Sequence, residues 1–419
     1  MIFDYKRLRG RRWIPFIFWV CAVVTIVVHI LIPVYIGWDL DVYKTAIESL
    51  KAGRDPYVDA VAVQRAFYAG GPYPPGTPPP LSYVYPPITL PLLALAGRLP
   101  LWFAAAAYWI LTGAAVIVAL LVNWWTVGAR ERKIFAFLFP AALFFPGLIQ
   151  SDVIFSGNLA YILYGLVFCG AWIGWTRGRW ALFYAAVLVA SCFKAPMLSL
   201  AAIAPLSSRR QWLCAGITVM AGVGIFVIQP YIWPELFGSY LETVELQLNE
   251  FGFGFNHELG FNHEFGFGPA GILASAFYDK VPYQLMSVGA YILCASAFGA
   301  LLLFLRRRWL DGRICLKQWI PVMLCGVILL SPRVKEYDVA QITMIMALVL
   351  WRALELTGST KSRAVAVAVI FVLANVIGNS GDNGYFWHVT ESLMITGTFL
   401  AGCWDLARRA TGIETQSTL

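Results

Sequence analysis

Charge is what this sequence has least of. Only 13% of its 419 residues are Asp, Glu, Lys or Arg, against roughly 25% in an average soluble domain, and the mean hydropathy is +0.69. That balance excludes a soluble globular enzyme. The alternation of apolar and polar residues that a transmembrane β-barrel needs is also missing. The apolar residues come instead in runs of about twenty, each able to cross ~30 Å of hydrocarbon as a helix. No CxxC pair occurs among Cys21, Cys169, Cys192, Cys214, Cys294, Cys315, Cys325 and Cys403, which lie scattered in or beside apolar runs. They read as small packing residues, not as a disulfide framework or a metal centre. The first apolar run, 14–36, is too long for a signal-peptide core and lacks a small-residue cleavage site, so it reads as a retained helix.

What remains predicts an all-α, polytopic membrane bundle, one domain over 1–419. The net charge of +8 is no nucleic-acid footprint, because the basic residues sit in short groups at the ends of apolar runs, as topology signals do. Lys6, Arg7, Arg9, Arg11 and Arg12 place the N-terminus in the cytoplasm. Further spans are drawn at 86–98, 101–125, 133–149, 157–175, 179–206, 211–230, 285–305, 314–331, 337–354, 363–379 and 386–406. This makes about twelve helices with both termini cytoplasmic. Arg209 and Arg210, the Arg306–Lys317 group, Lys361 and Arg363, and Arg408 and Arg409 then fall inside. Arg130, Arg132 and Lys133, like Arg177 and Arg179, fall outside. Either the charge rule is broken there or one of these segments is re-entrant.

Two long polar interruptions, 37–85 and 231–284, and the short Ser331–Asp338 turn share the extracytoplasmic face in this scheme. The first opens with Asp39 and Asp41 where the first membrane helix ends. Val42–Ala52 then has helical spacing, with Val42, Ala46, Ile47 and Leu50 on one face. Asp55-Pro56-Tyr57 reads as a turn, 59–68 as a second short helix, and the proline-rich 70–87 as a tyrosine-bearing platform at the headgroup layer. The second contains the repeat GFNHEL, 254–259, and GFNHEF, 260–265. His257 and His263, each followed by a glutamate, lack the HEXXH spacing of a helical zinc site. The readings left open are a Gly-Phe loop at the interface, a metal pair, and substrate contact. Lys194 lies inside an apolar run, where a cation is costly and usually functional; the bland alternative is snorkelling at a kinked helix.

The order Asp39-Leu40-x-Val42-Tyr43, Gly53-x-Asp55-Pro56-Tyr57 and Tyr85-Pro86-Pro87 resembles the first loop of glycosyltransferase family 87. That family belongs to the GT-C superfamily of polytopic enzymes that use polyprenyl-phosphate sugars, among them mycobacterial α-1,2-mannosyltransferases. Gly157-Asn158, Lys194-Ala195-Pro196 and Ser331-Pro332 resemble later family elements in the expected order. The resemblance implies a GT-C fold and inverting transfer of a hexose, most often mannose, to a glycolipid or polysaccharide acceptor outside a bacterial inner membrane. It implies no cofactor and no metal. Such transfer needs a base for the acceptor hydroxyl and positive charge for the leaving phosphate. Asp39 is the expected base with Asp41 in reserve; a solvated helix cap is the alternative for either. Lys194, Arg333, Lys335, His257 and His263 are the expected phosphate contacts, with Tyr43 and Asn158 also on the substrate side. Arg54 and Arg65 are open equally to that role and to being surface charges on the loop.

Asp39-Leu40-Asp41 spells DxD, but its place at a helix end argues against a nucleotide-sugar site. Two rivals stand beside this reading. A transporter or flippase shares the helix count but wants a repeat between halves, and none is found. An oligosaccharide polymerase or ligase wants an arginine-rich outer loop, and 231–284 contains no arginine.

Overall fold

The computed structural model describes residues 37–68, 82–128, 131, 156–249, 255–256, 261–262, 268–276, 283–332, 334, 336–357, 360–378 and 385–410. The apolar runs 14–36 and 133–149 lie outside these residues. What is described is helical apart from a two-residue antiparallel ladder. Among the described residues three helices are long and apolar enough to cross a membrane: α4, Leu101–Thr126, α8, Trp212–Ile232, and α11, Tyr283–Leu310.

The first interruption folds as two short helices. Gly37, with φ 87°, turns the chain into α1, Trp38–Lys51. Asp39 and Asp41 therefore occupy the first turn of an amphipathic helix rather than the end of a preceding one, and carboxylates there complement the helix dipole. The buried face carries Val42, Tyr43 and Ala46, with Ile47 and Leu50 packed beside them, matching the spacing. The expected turn at 55–57 is the start of α2, Pro56–Tyr68. Asp55 caps it, accepting from Tyr57 N at 2.8 Å, and proline costs nothing at the first helical position because its missing N–H has no partner there.

The run 86–98 is not a crossing. It forms a 3-10 turn, Pro87–Thr89, and α3, Leu90–Ala96, only seven residues, or about 10 Å at 1.5 Å per residue. Gly97 then lies directly against Ile47 of α1, so this piece stays on the face where α1 lies. α4 starts from there.

The run 179–206 folds as a hairpin, not as one continuous helix. α5, Ala160–Arg177, ends at Gly178 in the left-handed conformation. α6, Ala181–Phe193, rises about 20 Å over its 13 residues and breaks at Lys194, whose backbone is extended. Pro196 forbids helical continuation, since its ring clashes with the preceding turn and it has no N–H to donate. The chain returns as a 3-10 helix, Ala195–Ala202, and α7, Ile203–Ser207. The strands of this hairpin are antiparallel: Ser191 and Leu198 face the same Gly222, while Tyr184 and Trp175 reach Gln211 and Ser207. Arg177 and Arg179 therefore share a face with Arg209 and Arg210, where a simple crossing would have put the two pairs at opposite ends.

The same face collects the remaining basic ends. Arg306 donates to Pro205 O and Ser208 O, and Arg209 to Leu310 O. α12, Leu316–Leu329, leaves it. α13, Glu336–Val339, and α14, Thr343–Ala353, come back to it. There Arg352 grips Glu131 with two hydrogen bonds and reaches Thr126 O and Lys317 O. α15, Thr360–Gly378, and α16, Tyr385–Ala410, complete the bundle. Arg409 there pairs with both Asp405 and Glu355.

At the opposite end the polar segments converge. α9, Pro234–Asn249, occupies much of the second interruption and packs on α2, setting Tyr240 edge-on to Tyr57 at 5.8 Å. The Phe-Asn repeat folds back on itself: β1, Phe255–Asn256, pairs with β2, Phe261–Asn262. α10, Pro269–Ala276, follows, and Gly268 touches Val334 of the late turn.

Candidate active site

Asp39 is placed by a glycine and an asparagine from a distant part of the chain. Gly157 has φ 82°, and a Cβ there would lie 2.4 Å from Leu40 Cγ and 3.1 Å from Leu40 N. Only glycine allows both the backbone angle and the close approach of α1. That approach lets Asp39 N donate to Ser156 O at 2.8 Å. Asn158 Nδ2 then donates to Asp39 Oδ2 at 2.9 Å, while Asn158 Oδ1 accepts from Ala160 N at the head of α5. The asparagine is thus held at both ends of its amide, and its orientation passes to the carboxylate. Asp39 is half-buried; Asp41, two residues on, is exposed.

Around the pair stands a cluster of phenols. Tyr43 and Tyr85 hydroxyls lie 2.7 Å apart, and the Tyr85 hydroxyl also bonds the Asn158 side chain. Tyr57 donates to Tyr85 O at 2.7 Å, and Tyr83 bonds Thr89. Burial, then Tyr85 and Asp39 beside it, pushes the Tyr43 hydroxyl well above the usual phenol range. Burial does the same at Tyr57, Tyr83 and Tyr85, with Asp39 adding to the effect at Tyr85. Burial thus keeps these phenols neutral. Tyr108 of α4 is within electrostatic reach of the same carboxylate.

A cation stands next to this cluster. Tyr85 meets Phe193 with ring centroids 6.4 Å apart, and Lys194 follows Phe193 at the tip of the hairpin. Its Nζ sits 3.6 Å from the centroid of the Tyr337 ring, a cation–π contact. Asp338, buried beside Tyr337, is hydrogen-bonded to Tyr164 of α5. The hairpin tip also borders an open groove of about 480 Å³. Cys192, Ala195, Pro196, Gly222, Phe226 and Gln229 are among its mostly apolar lining. Gln229 Oε1 accepts from Ile88 N at 3.0 Å, tying the groove wall to the tyrosine platform.

Of the expected site residues, Asp39, Tyr43 and Asn158 are in one cluster, and Lys194 adjoins it through Phe193. Arg333, Lys335, His257 and His263 lie outside the described residues. Arg54 is exposed and pairs with Asp59 at 2.8 Å. Tyr337, Asp338 and Tyr164 were not singled out from the sequence. The late turn containing the first two was visible, but Tyr164 is one of two tyrosines in an apolar helix and carried no signal. Among the described residues no three His, Cys, Asp or Glu side chains group as metal ligands. No protein-family model, no curated protein and no solved structure matches this chain.

Proposed function

We propose that this protein is a membrane glycosyltransferase of the family 87 type. It moves a hexose, most often mannose, from a polyprenyl-phosphate donor to a glycolipid or polysaccharide. The observation that carries this reading is an oriented carboxylate, Asp39 on Asn158 at 2.9 Å, in a cluster whose Tyr85 meets Phe193, the residue before Lys194 on a hairpin tip that borders an apolar groove. The three features answer the three needs of the reaction: a base, a counter-charge, and a lipid-facing slot for a prenyl chain.

In the proposed step the acceptor hydroxyl gives its proton to Asp39 as its oxygen attacks the sugar's anomeric carbon. The bond from that carbon to the phosphate oxygen breaks, and the electron pair leaves with polyprenyl phosphate, whose added charge Lys194 meets. One displacement inverts the anomeric centre and needs no covalent intermediate. Phenols kept neutral by burial supply hydrogen bonds to sugar hydroxyls without opposing the phosphate. The proposal puts the basic face in the cytoplasm, in keeping with the positive-inside rule, and this site on the other side of a bacterial inner membrane.

The hairpin broken at a lysine favours a second reading, a transporter of a lipid-linked or small polar substrate, because broken helices line transport sites. Sugar transfer by purified protein decides between them. Synthetic polyprenyl-phosphate mannose and a membrane lipid extract are supplied to wild type and to Asp39→Asn. Product from wild type alone supports the transferase. Saturable donor binding without product from any acceptor, and donor movement across a vesicle membrane, would replace it with the transporter.

A further inference from the structure

The basic face contains two kinds of arginine. Arg352 is paired with Glu131, Arg363 with Glu355, and Arg409 with Asp405 and Glu355. Arg209 and Arg306 have no carboxylate partner among the described residues. Their guanidinium groups donate to the backbone oxygens of Leu310, Pro205 and Ser208. Carbonyl dipoles fix a guanidinium in place but leave its charge uncancelled. Both line a cleft of about 460 Å³ with Trp212 and Leu310, and the Arg306 guanidinium lies 5.3 Å from the Trp212 ring centroid.

This cleft and the groove that Cys192 and Ala195 border are lined by the same two helices, α8 and α11, and the strip between them is taken here as one furrow. On α8, Trp212, Gly216, Val219, Val223 and Phe226 recur at helical spacing and share a face. Val219, Val223 and Phe226 line the groove near Lys194, and a Cβ at Gly216 would meet nothing within 4 Å. On α11, Tyr291 lines the same groove and Arg306 and Leu310 line the cleft, with open space at Gly299 between them. α7 touches both helices and floors the gap. Leu213 is 75% exposed and Leu303 46%, so apolar side chains flank the cleft on its bilayer side.

We propose that this furrow holds an anionic glycerophospholipid from the leaflet at the basic face. Its phosphate lies between Arg209 and Arg306, its glycerol region against Trp212, and an acyl chain along the α8–α11 gap. Two uncompensated guanidinium groups select negative charge, and the indole suits the headgroup boundary. The apolar flanks select a lipid over a soluble anion. The headgroup cleft shares no residue with the Asp39 cluster, the acyl chain runs toward the groove beside the hairpin tip, and the proposal does not depend on the transferase reading.

The full-length protein is reconstituted in phosphatidylcholine nanodiscs with increasing phosphatidylglycerol. Tightly bound lipid is counted by native mass spectrometry after gentle extraction, and the melting temperature is followed in parallel. Wild type retains phosphatidylglycerol over phosphatidylcholine. Arg209→Gln and Arg306→Gln each lower its apparent affinity about fivefold, the worth of one interfacial cation, and Arg306→Lys loses less. Arg210→Gln, an exposed neighbour outside the cleft lining, serves as the control and changes nothing. If Arg306→Gln fails to fold, Arg209→Gln and Trp212→Leu decide. Equal retention of the two lipids overturns the proposal, as does an equal loss in Arg210→Gln, which would signify diffuse surface charge. Full competition by millimolar inorganic phosphate overturns it in favour of a free-anion site.

Discussion

Asp39 and Glu131 are carboxylates at opposite ends of the same bundle, and they are held in opposite ways. Glu131 is gripped by the Arg352 guanidinium through two hydrogen bonds of 2.8 and 2.9 Å. Burial works against its charged form, but the Arg352 hydrogen bonds and charge, with Gly128 N, outweigh burial and draw its pKa down. A carboxylate so neutralised is a fastener. Asp39 is oriented by Asn158, a neutral amide, amid neutral phenols. An amide fixes the direction of a carboxylate without itself supplying a counter-charge. The comparison teaches that position and reactivity are set by the partner's charge, not by the acid itself.

The largest effect that tests this contrast is on turnover. Asp39→Asn lowers transfer by about 10³-fold or more, the scale of losing a general base, with the melting temperature nearly unchanged. Glu131→Gln does the reverse, leaving turnover intact while unfolding becomes easier by about 3 kcal/mol as Arg352 loses its charge partner. Equal loss of activity in the two variants would erase the distinction.

Next in size is Gly157→Ala. Strain at positive φ and the overlap with Leu40 separate α1 from α5, lowering stability by about 2 kcal/mol and activity with it. Asn158→Ala, measured alongside, lowers turnover by about tenfold to a hundredfold at unchanged stability, as expected when a positioning hydrogen bond is lost. If Gly157→Ala lowers stability but leaves turnover per folded molecule unchanged, the contact does not position Asp39.

The Glu131 ion pair has a pH signature. Its pKa is lower folded than unfolded, so its stabilisation is fully present above the ordinary carboxylate range. It is lost as pH falls through the folded value. The gap in melting temperature between wild type and Glu131→Gln should therefore be widest near neutrality and close in acid. A gap independent of pH would mean that packing, not charge, holds this corner.

The smallest expected effect is at Tyr337. Tyr337→Leu removes the cation–π support of Lys194 and weakens donor binding by about threefold to tenfold, while Tyr337→Phe keeps the ring and stays close to wild type. Equal loss in both would assign the contribution to the hydroxyl.

How much of this was legible depends on the range of the interaction. The buried stripe of α1 follows from spacing that repeats each turn, and Val42 and Ala46 could be placed from it. Lys194 stood out because a cation in an apolar run has few cheap explanations. The turn-back at Lys194 was less visible: Lys194-Ala195-Pro196 marks a break, but hydropathy cannot tell a kinked crossing from a hairpin. The basic residues held the clue, since Arg177 and Arg179 broke the charge rule in a simple crossing. The seven residues of α3 were overcounted as a span because neighbouring apolar residues extended the run beyond the helix.

From sequence alone this chain is a helical membrane protein with long polar segments that contain an Asp pair, a tyrosine platform and a repeated Phe-Asn unit. Composition and periodicity determine that much because transfer to hydrocarbon and helical spacing act locally, residue by residue. Tertiary structure alone decided that Gly157 admits Leu40, that Asn158 aims Asp39, that Tyr337 supports Lys194, and that Arg209 and Arg306 share a cleft. Each joins segments far apart in the chain, and close packing of those segments, not any local preference, brings their atoms within reach.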